Sequence, residues 1–569
     1  ENFLSKRNII CKEQIGFCKK KRTSDHMFVL KTLIEKYTQM GPKLLFSCFV
    51  DFKKAFDTVW HMGLFYKLRQ YGISDLYYNV IKSMYKKTEL NVRISKSHMT
   101  DSFSSNIGVR QADNLSPNLF KLFINDLPEI FDKTCDPVQL DSIQLNCLLY
   151  ADDVVLLSET AEGLQNSLDK LCLYCNKWGL EINLKKTKSL VFNCTGKINH
   201  ASFKLNNCPI DKARQYTYLG INFSASGSFT DAKHDLYKRG LKALFKIYKI
   251  FKGHKPKIKT LLHIFDHTVK PILTYGSEIW GALDSKKLTE KGDCYFEKLC
   301  KELQTESIHS KICKFSLGVG KRSTNMAVIG ELGRYPLFIE VIVNMFSYLS
   351  RLTSTEDQLL SEALLVSKSL SNHSKKSWFN SISSLAKYLD IDLSQVFNIK
   401  SNLKRFILNK LKLKYNKLWY SSLNNDRKNM SFGNKLRTYR LFKRNIYFEP
   451  YLAIGNRNLR IQMTKFRISN HDLEIERGRY RGLQAMDRTC NLCKKEVEDE
   501  LHFLLKCSSL ESERVSIISN IVKSYKNFHN LDYQSQFIWL MSNEDSHIFN
   551  QVSNLINNLN VVRKQLLET

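Results

Sequence analysis

No apolar run in this chain of 569 residues reaches the length of about 20 residues that a membrane span requires. No secretory leader opens it: Glu1-Asn2-Phe3-Leu4-Ser5-Lys6-Arg7 is polar and basic, without an apolar core segment. The first residue is not Met, as expected of a fragment. No long Pro- or Gly-rich linker interrupts the chain; the softest boundaries are the polar runs Thr353 to Asp357 and Ser367 to Lys376. Acids are scarce: 55 Asp and Glu face 87 Lys and Arg, a net charge of +32. That excess calls for a polyanionic partner, nucleic acid ahead of an anionic membrane. The 15 cysteines are odd in number and mostly scattered through apolar segments, which suits a reducing compartment rather than a disulfide framework. What is present, 43% hydrophobic and 11% aromatic residues, is the composition of a folded protein. The length exceeds one core and points to three or four domains.

The chain is organised around Leu148-Leu149-Tyr150-Ala151-Asp152-Asp153-Val154-Val155-Leu156-Leu157. Two apolar runs flanking two aspartates read as a β-hairpin with carboxylates at its tip. Such a pair can hold hard divalent cations, or can be a polar turn with both acids in water. Upstream, Leu44 to Val50 is another buried-strand pattern, and it delivers Asp51 at its end. Asp51 converging on Asp152 and Asp153 would complete a site for two Mg²⁺ ions, with Mn²⁺ as the substitute.

A second constellation lies near the C-terminus. Cys490-Asn491-Leu492-Cys493 is followed by His502 and Cys507. Three thiolates and an imidazole can close a tetrahedral structural Zn²⁺ site with no position left for catalysis; the bland alternative is coincidental cysteines. Cys172 and Cys175 also have CxxC spacing, but they fall on the apolar stripe of a helix over 161–178 that Gly179 stops, and they read as core. Residues 401–450 hold 13 Lys or Arg against two acids, with nine aromatics interleaved, among them Phe406, Tyr415, Trp419 and Tyr420. This pattern suits single-stranded RNA or, equally, a helical module with an aromatic core. Lys19-Lys20-Lys21-Arg22 reads as a solvated loop, a phosphate contact or a nuclear signal. Pro117 is expected in the first turn of a helix capped by Ser116, with Leu119, Phe120, Phe123 and Ile124 on its buried face. Asp57 is expected to cap a helix from Thr58, and Leu90 to Ile94 to form a strand.

Asp51 to Asp57, Gly108 to Pro117, Tyr150 to Asp153 and Gly179 to Lys188 resemble the four palm motifs of reverse transcriptases, in the wording of the non-LTR (LINE-type) retrotransposon branch, jockey-like. Gln14 to Asp25 resembles the end of that family's fingers, and Tyr218-Leu219-Gly220 its primer-gripping turn. The resemblance implies RNA-directed DNA synthesis from dNTPs on a primer 3′-OH. Asp51, Asp152 and Asp153 would be metal ligands, and Lys186 would meet the departing pyrophosphate. Phe52, Phe56, Arg110, Gln111, Ala112 and Tyr150 would line the substrate. A ring at Phe56 would exclude a ribose 2′-OH and so argues against the third reading, RNA-templated RNA synthesis. Ala112 stands where the family has Gly, and upstream fingers sequence is missing. The alternative is therefore a catalytically inactive nucleic-acid-binding relic.

The expected fold is an α+β right-hand polymerase. Residues 1–225 would form partial fingers and a palm with an antiparallel sheet, and 226–350 a helical thumb. A basic helical region over 351–480 and a C-terminal region over 481–569, with its CCHC zinc module at 490–507, would follow. The expected partners are template RNA, primer or target DNA and dNTPs, without a membrane. The expected location is nuclear and cytoplasmic, as a ribonucleoprotein. No endonuclease motif is found; the family often encodes one upstream.

Overall fold

The computed structural model describes residues 4, 7–39, 43–86, 88–96, 98–111, 113–253, 256–371, 377–398, 402–425 and 433–568. They fall into two compact units whose segments interleave: 1–235, 276–290 and 344–401 in the first, and 236–275, 291–343 and 402–569 in the second. No helix among the described residues is long and apolar enough to cross a membrane.

The first unit is built on a five-stranded sheet. Its strands are β1 (Leu45–Val50), β2 (Cys147–Tyr150), β3 (Asp153–Ser158), β4 (Lys188–Phe192) and β5 (Asp211–Lys212), in the order β5-β4-β1-β3-β2. All neighbours are antiparallel except β5 with β4. Strand parity decides which side chains enter the core. Phe46, Cys48 and Val50 of β1, with Val154 and Leu156 of β3, face one side and join the main hydrophobic cluster. Leu164, Leu168 and Leu171 of the helix Ala161–Trp178 enter the same cluster. The opposite parity leaves Phe49, Asp51 and Asp153 on the other face, where the Tyr216 ring stacks on Phe49 at 4.4 Å.

Helices pack on this sheet and on one another. α1 (Thr23–Gln39) is buried nearly all round, its Phe28 set edge-on against Trp378 at 4.8 Å. α2 (His61–Gln70) and α3 (Ser116–Phe123) follow. α4 (Ala161–Trp178) starts on a Thr160 cap and ends at Gly179 in the left-handed region, as its sequence signals. Cys172 and Cys175 are core, 5% and 4% exposed. A hairpin of β6 (Gln215–Tyr218) and β7 (Ile221–Ser224) precedes α5 (Thr230–Ile250).

Three local expectations need correction. Asp57 caps nothing: α2 starts three residues beyond Thr58, at His61, and the Asp57 carboxylate accepts from Gln111 Nε2 at 2.8 Å. α3 includes Ser116 as its first residue, so Leu115 is the cap and the Ser116 hydroxyl is left buried without a partner. The strand expected over Leu90 to Ile94 shrinks to Glu89–Leu90, because its alternating residues stay exposed and bury no face. Of the polar run Ser367 to Lys376, the first four residues finish a helix ending at Leu370, and 372–376 lie outside the described residues.

The second unit is helical and held by buried charge networks. Arg467, 3% exposed, donates to both Glu331 carboxylate oxygens at 3.0 Å, and its guanidinium lies 3.0 Å from Glu449. Arg334 grips Asp266 with two bonds of 2.6 and 2.7 Å. These contacts give structural roles to Glu331 and Arg334. In the helix Leu403–Leu423, Tyr415 and Trp419 are 5% and 2% exposed, so for those two rings the core reading holds. Tyr420, 42% exposed, stays open to a ligand.

Candidate functional site

The pairing Val50↔Val154 places Asp51, one residue further, across from Asp153 on the same sheet face. Tyr150 pairs with Asp153 on the other side of β3, which leaves Ala151 and Asp152 as the two-residue tip. Three carboxylates thus converge at one sheet end. Their mutual charge is legible in their titration. Burial first, then the charges of Asp152 and Asp51, push Asp153 up to about 6, with Lys186 opposing. Burial and the Asp51 charge raise Asp152 as well. Such a cluster is stable as an anion only with a compensating cation, and an oxygen-only donor set suits a hard divalent ion.

The tip is held from below. Ala151 has φ +54°, a conformation that costs an L-residue about 1–2 kcal/mol. Gln14 Oε1 accepts the Ala151 amide at 3.1 Å and the Gly16 amide at 2.8 Å. The strand edge beside it is bridged through Ile15 N–H to Leu149 O at 3.0 Å and Leu149 N–H to Glu13 O at 2.9 Å. Gly16 is required: a Cβ there would lie 2.2 Å from the Ala151 nitrogen.

Asp51 is oriented by the segment that follows α4. Asn183 Nδ2 donates to its carboxylate at 3.0 Å, and the Asn183 amide donates to its carbonyl at 2.7 Å. The Asp51 amide donates to Thr187 Oγ1 at 3.3 Å. Lys186 Nζ lies 3.4 Å from Asp51, on a side chain 68% exposed and so free to swing.

The other expected site residues divide. Phe56 is half-buried and stacks on Phe120 at 4.7 Å. Arg110 and Gln111 are exposed beside Gly108, whose φ of +89° and closeness to the Asp57 carbonyl exclude a side chain. Arg110 donates to Met84 O at 2.9 Å. Tyr150 is half-buried on β2. Phe52 is a correction: its ring is 4% exposed in the core, so only its backbone, bridged to Ile182, is near the carboxylates. Ala112 lies outside the described residues. Gln14, Gly16, Asn183 and Thr187 were not singled out for roles from sequence. The one signal available was that Gln14 and Gly16 fall within the stretch Gln14 to Asp25, and Asn183 and Thr187 within Gly179 to Lys188, both of which resemble family segments.

In the second unit the four C-terminal donors come together. Donor atoms of Cys490, Cys493, His502 and Cys507 all lie within 4.8 Å of one another. Cys490 Sγ is 3.9 Å from Cys507 Sγ, and Cys493 Sγ is 3.4 Å from His502 Nε2. Lys494 at φ +56° turns the knuckle, and its amide donates to Cys490 O at 2.9 Å. Three sulfurs and one imidazole nitrogen at such spacings fit the tetrahedral shell of zinc. His502 Nδ1 faces Glu496 at 3.3 Å, which leaves Nε2 to the cluster. Burial lowers His502, but Cys490, Cys493 and Glu496 outweigh it and lift the imidazole to about 9. A hydrogen bond with Cys507, then burial, raises Cys490 to about 12.

The reverse transcriptase (RNA-dependent DNA polymerase) family profile matches residues 1–223. The probable RNA-directed DNA polymerase from transposon BS of Drosophila melanogaster is 28% identical over 291 residues, covering 49% of this chain and 31% of that protein. The RNA-directed DNA polymerase from mobile element jockey of the same species is 27% identical over 308 residues, with the same shares. The match thus spans about a third of the length of these curated relatives. A telomerase from Candida tropicalis aligns over 64% of this chain and 55% of its own, at 10% identity and a TM-score of 0.31. The family match covers the β1 end and the β2–β3 tip where the carboxylates meet, so the chain carries a reverse transcriptase domain over residues 1–223, related to those of jockey-like non-LTR retrotransposons.

Proposed function

We propose that this chain is an RNA-directed DNA polymerase that extends a primer 3′-hydroxyl with dNTPs on an RNA template. The observation that carries the reading is the convergence of Asp51, Asp152 and Asp153 at one sheet end, with Lys186 within reach. Two divalent cations held there, Mg²⁺ by preference, would supply the Lewis acidity for hydroxyl attack on a phosphate. Asp51 and Asp152 are the main ligands and Asp153 the supporting one. Asn183 and Thr187 fix Asp51, and Gln14 fixes the tip that presents Asp152. Lys186, largely exposed, would neutralise or protonate the departing diphosphate. Phe56, half-buried, would discriminate the sugar. Arg110, Gln111 and Tyr150 are the further substrate contacts.

The four-part division into palm, thumb, basic region and zinc module belongs to the same reading, as do template RNA, target DNA and a ribonucleoprotein shared between nucleus and cytoplasm. The Cys490, Cys493, His502 and Cys507 cluster holds structural Zn²⁺. The test is primer extension on an RNA template with Mg²⁺, with dNTPs and rNTPs in separate reactions, using the parent and Asp152→Asn. Extension by the parent with dNTPs alone is expected. Extension by Asp152→Asn would overturn the metal-site assignment, and equal use of rNTPs would overturn the DNA product. Binding of RNA without extension by the parent would favour the relic reading.

A further inference from the structure

A cavity of about 310 Å³ in the first unit is lined by Lys31 and Glu35 of α1, by Ser228, by Thr230 and Lys233 at the start of α5, and by Trp280. It lies away from the carboxylates. α1 ends at Gln39 and the chain enters β1 at Leu45, so the residues of α1 from Lys31 onward lie toward the β1 entry. From there the six residues of β1 run about 20 Å to Asp51. β7 likewise leaves the Tyr218–Gly220 turn and delivers its far end to this cavity.

The charges in the cavity do not balance. Lys31 and Glu35, 6% and 4% exposed, form an ion pair, and the second Glu35 oxygen accepts the Trp378 amide at 3.3 Å. Each oxygen of that carboxylate thus already has a partner. The Lys233 ammonium makes no ion pair or hydrogen bond among the described residues; it sits 5.4 Å from the centre of the Trp280 ring. Burial pulls its pKa down and the charge of Lys31 pulls in the same direction. A half-buried ammonium beside a second cation is unfavourable unless an anion joins it.

The neighbouring backbone is also arranged for an anion. Gly227, at φ +69°, lets the turn lie against α1, where a Cβ would come 2.7 Å from Ile34. The turn is braced by Ser224 Oγ donating to Ser228 O at 2.7 Å and Thr230 N–H donating to Ser228 Oγ at 3.3 Å. The first α5 bond runs from Lys233 N–H to Phe229 O at 3.0 Å, so the amides of Asp231 and Ala232 precede the helix's own bonding. Two ammonium groups, hydroxyls at the rim and a helix start converge on one small volume.

We propose that this cavity binds a phosphate group, carried either by a nucleic-acid strand or free in solution, at a site separate from the catalytic carboxylates. Lys233 is the principal contact, Lys31 the second cation, and Ser228 and Thr230 the hydroxyl partners.

The test uses the full chain and Lys233→Met, melted in chloride buffer and in inorganic phosphate at matched ionic strength. Phosphate should raise the melting temperature of the parent by about 2 °C or more beyond any shift in the variant. In chloride the variant should melt at or above the parent, because it no longer buries a charge. A 20-base-pair RNA–DNA hybrid with 5′-hydroxyl ends separates the two sources. If the phosphate belongs to a strand, the variant should bind the hybrid about threefold or more weakly, with a log–log salt slope smaller by about one. If it is free phosphate, hybrid binding should be equal in both proteins while the melting difference persists. Broadening of the ³¹P line of inorganic phosphate by the parent checks the site without any variant. Equal phosphate shifts in both proteins together with unchanged hybrid binding, or no ³¹P broadening and no hybrid defect, would overturn the proposal.

Discussion

The carboxylate tip and the cysteine–histidine cluster are both candidate metal centres, and they are built on opposite principles. At the tip, Asp51, Asp152 and Asp153 are only partly buried, repel one another, and sit on a turn strained at Ala151. At the cluster, Cys490, His502 and Cys507 are buried, and four donors close on one point with no open position. Oxygen donors that keep room for water and substrate suit a cation that must exchange ligands during each reaction. A complete sulfur and nitrogen shell suits an ion that never leaves. The supports differ in the same sense. The tip is clamped by a few hydrogen bonds from Gln14 and Asn183, each replaceable with local effect. The cluster is tied into its unit through Glu498, which lies 3.9 Å from Cys490 Sγ, is gripped twice by Arg563, and accepts the Glu474 amide at 2.6 Å.

The largest effect should come from the closed centre. Cys493→Ser should lose zinc and destabilise the surrounding helices by several kcal/mol, read as metal content and as protease cleavage between residues 474 and 568. Retention of one zinc per chain would break the comparison. At the open centre, Gly16→Ala should drive the turn out of place, since its new methyl would meet the Ala151 nitrogen at 2.2 Å. Displacements of this kind cost on the order of 100-fold in rate; extension per folded molecule should fall accordingly, with zinc content unchanged.

Asn183→Ala should be milder. It frees Asp51 from a 3.0 Å bond and should raise the Mg²⁺ requirement for extension about tenfold. A Mg²⁺ titration reads it, and an unaltered midpoint would remove Asn183 from the support.

The smallest effect is on pH. Asp153 is raised from 3.8 to about 6 in the folded chain. Its contribution to stability is therefore present while the group is protonated and is lost as pH rises through about 6. Mg²⁺ replaces the proton as the compensating charge, so the increase in melting temperature on adding Mg²⁺ should be larger at pH 7.5 than at pH 5.5. The reverse order would contradict the carboxylate assignment.

The tip and the cluster were also unequally legible. Asp51, Asp152 and Asp153 stood out because acids interrupting apolar strand patterns need a reason. The four C-terminal donors stood out because three cysteines and a histidine fell at ligand spacing. Helix α4 was readable from its leucine stripe and Gly179. The clamps were not, because they are long-range: Gln14 meets Ala151 from 137 positions away, and Asn183 meets Asp51 from 132. No periodicity encodes such a contact. Phe52 misled because a residue beside a ligand shares its segment but, by strand parity, not its face. Tyr415 and Trp419 left two readings open because basic residues between aromatics mark an amphipathic helix as readily as an RNA surface. Glu331 and Arg467, which anchor the second unit, gave no signal, since a buried pair 136 residues apart looks like two ordinary surface charges.

The most direct measurement follows both centres in one sample. The parent is treated briefly with EDTA, exchanged into metal-free buffer, and assayed for zinc content and for primer extension on an RNA template before and after Mg²⁺ is returned. Extension should vanish and then recover fully with Mg²⁺, while one zinc per chain stays bound throughout. Extension that persists without added Mg²⁺, or zinc that leaves with the same brief treatment, would contradict the division into an open catalytic centre and a closed structural one.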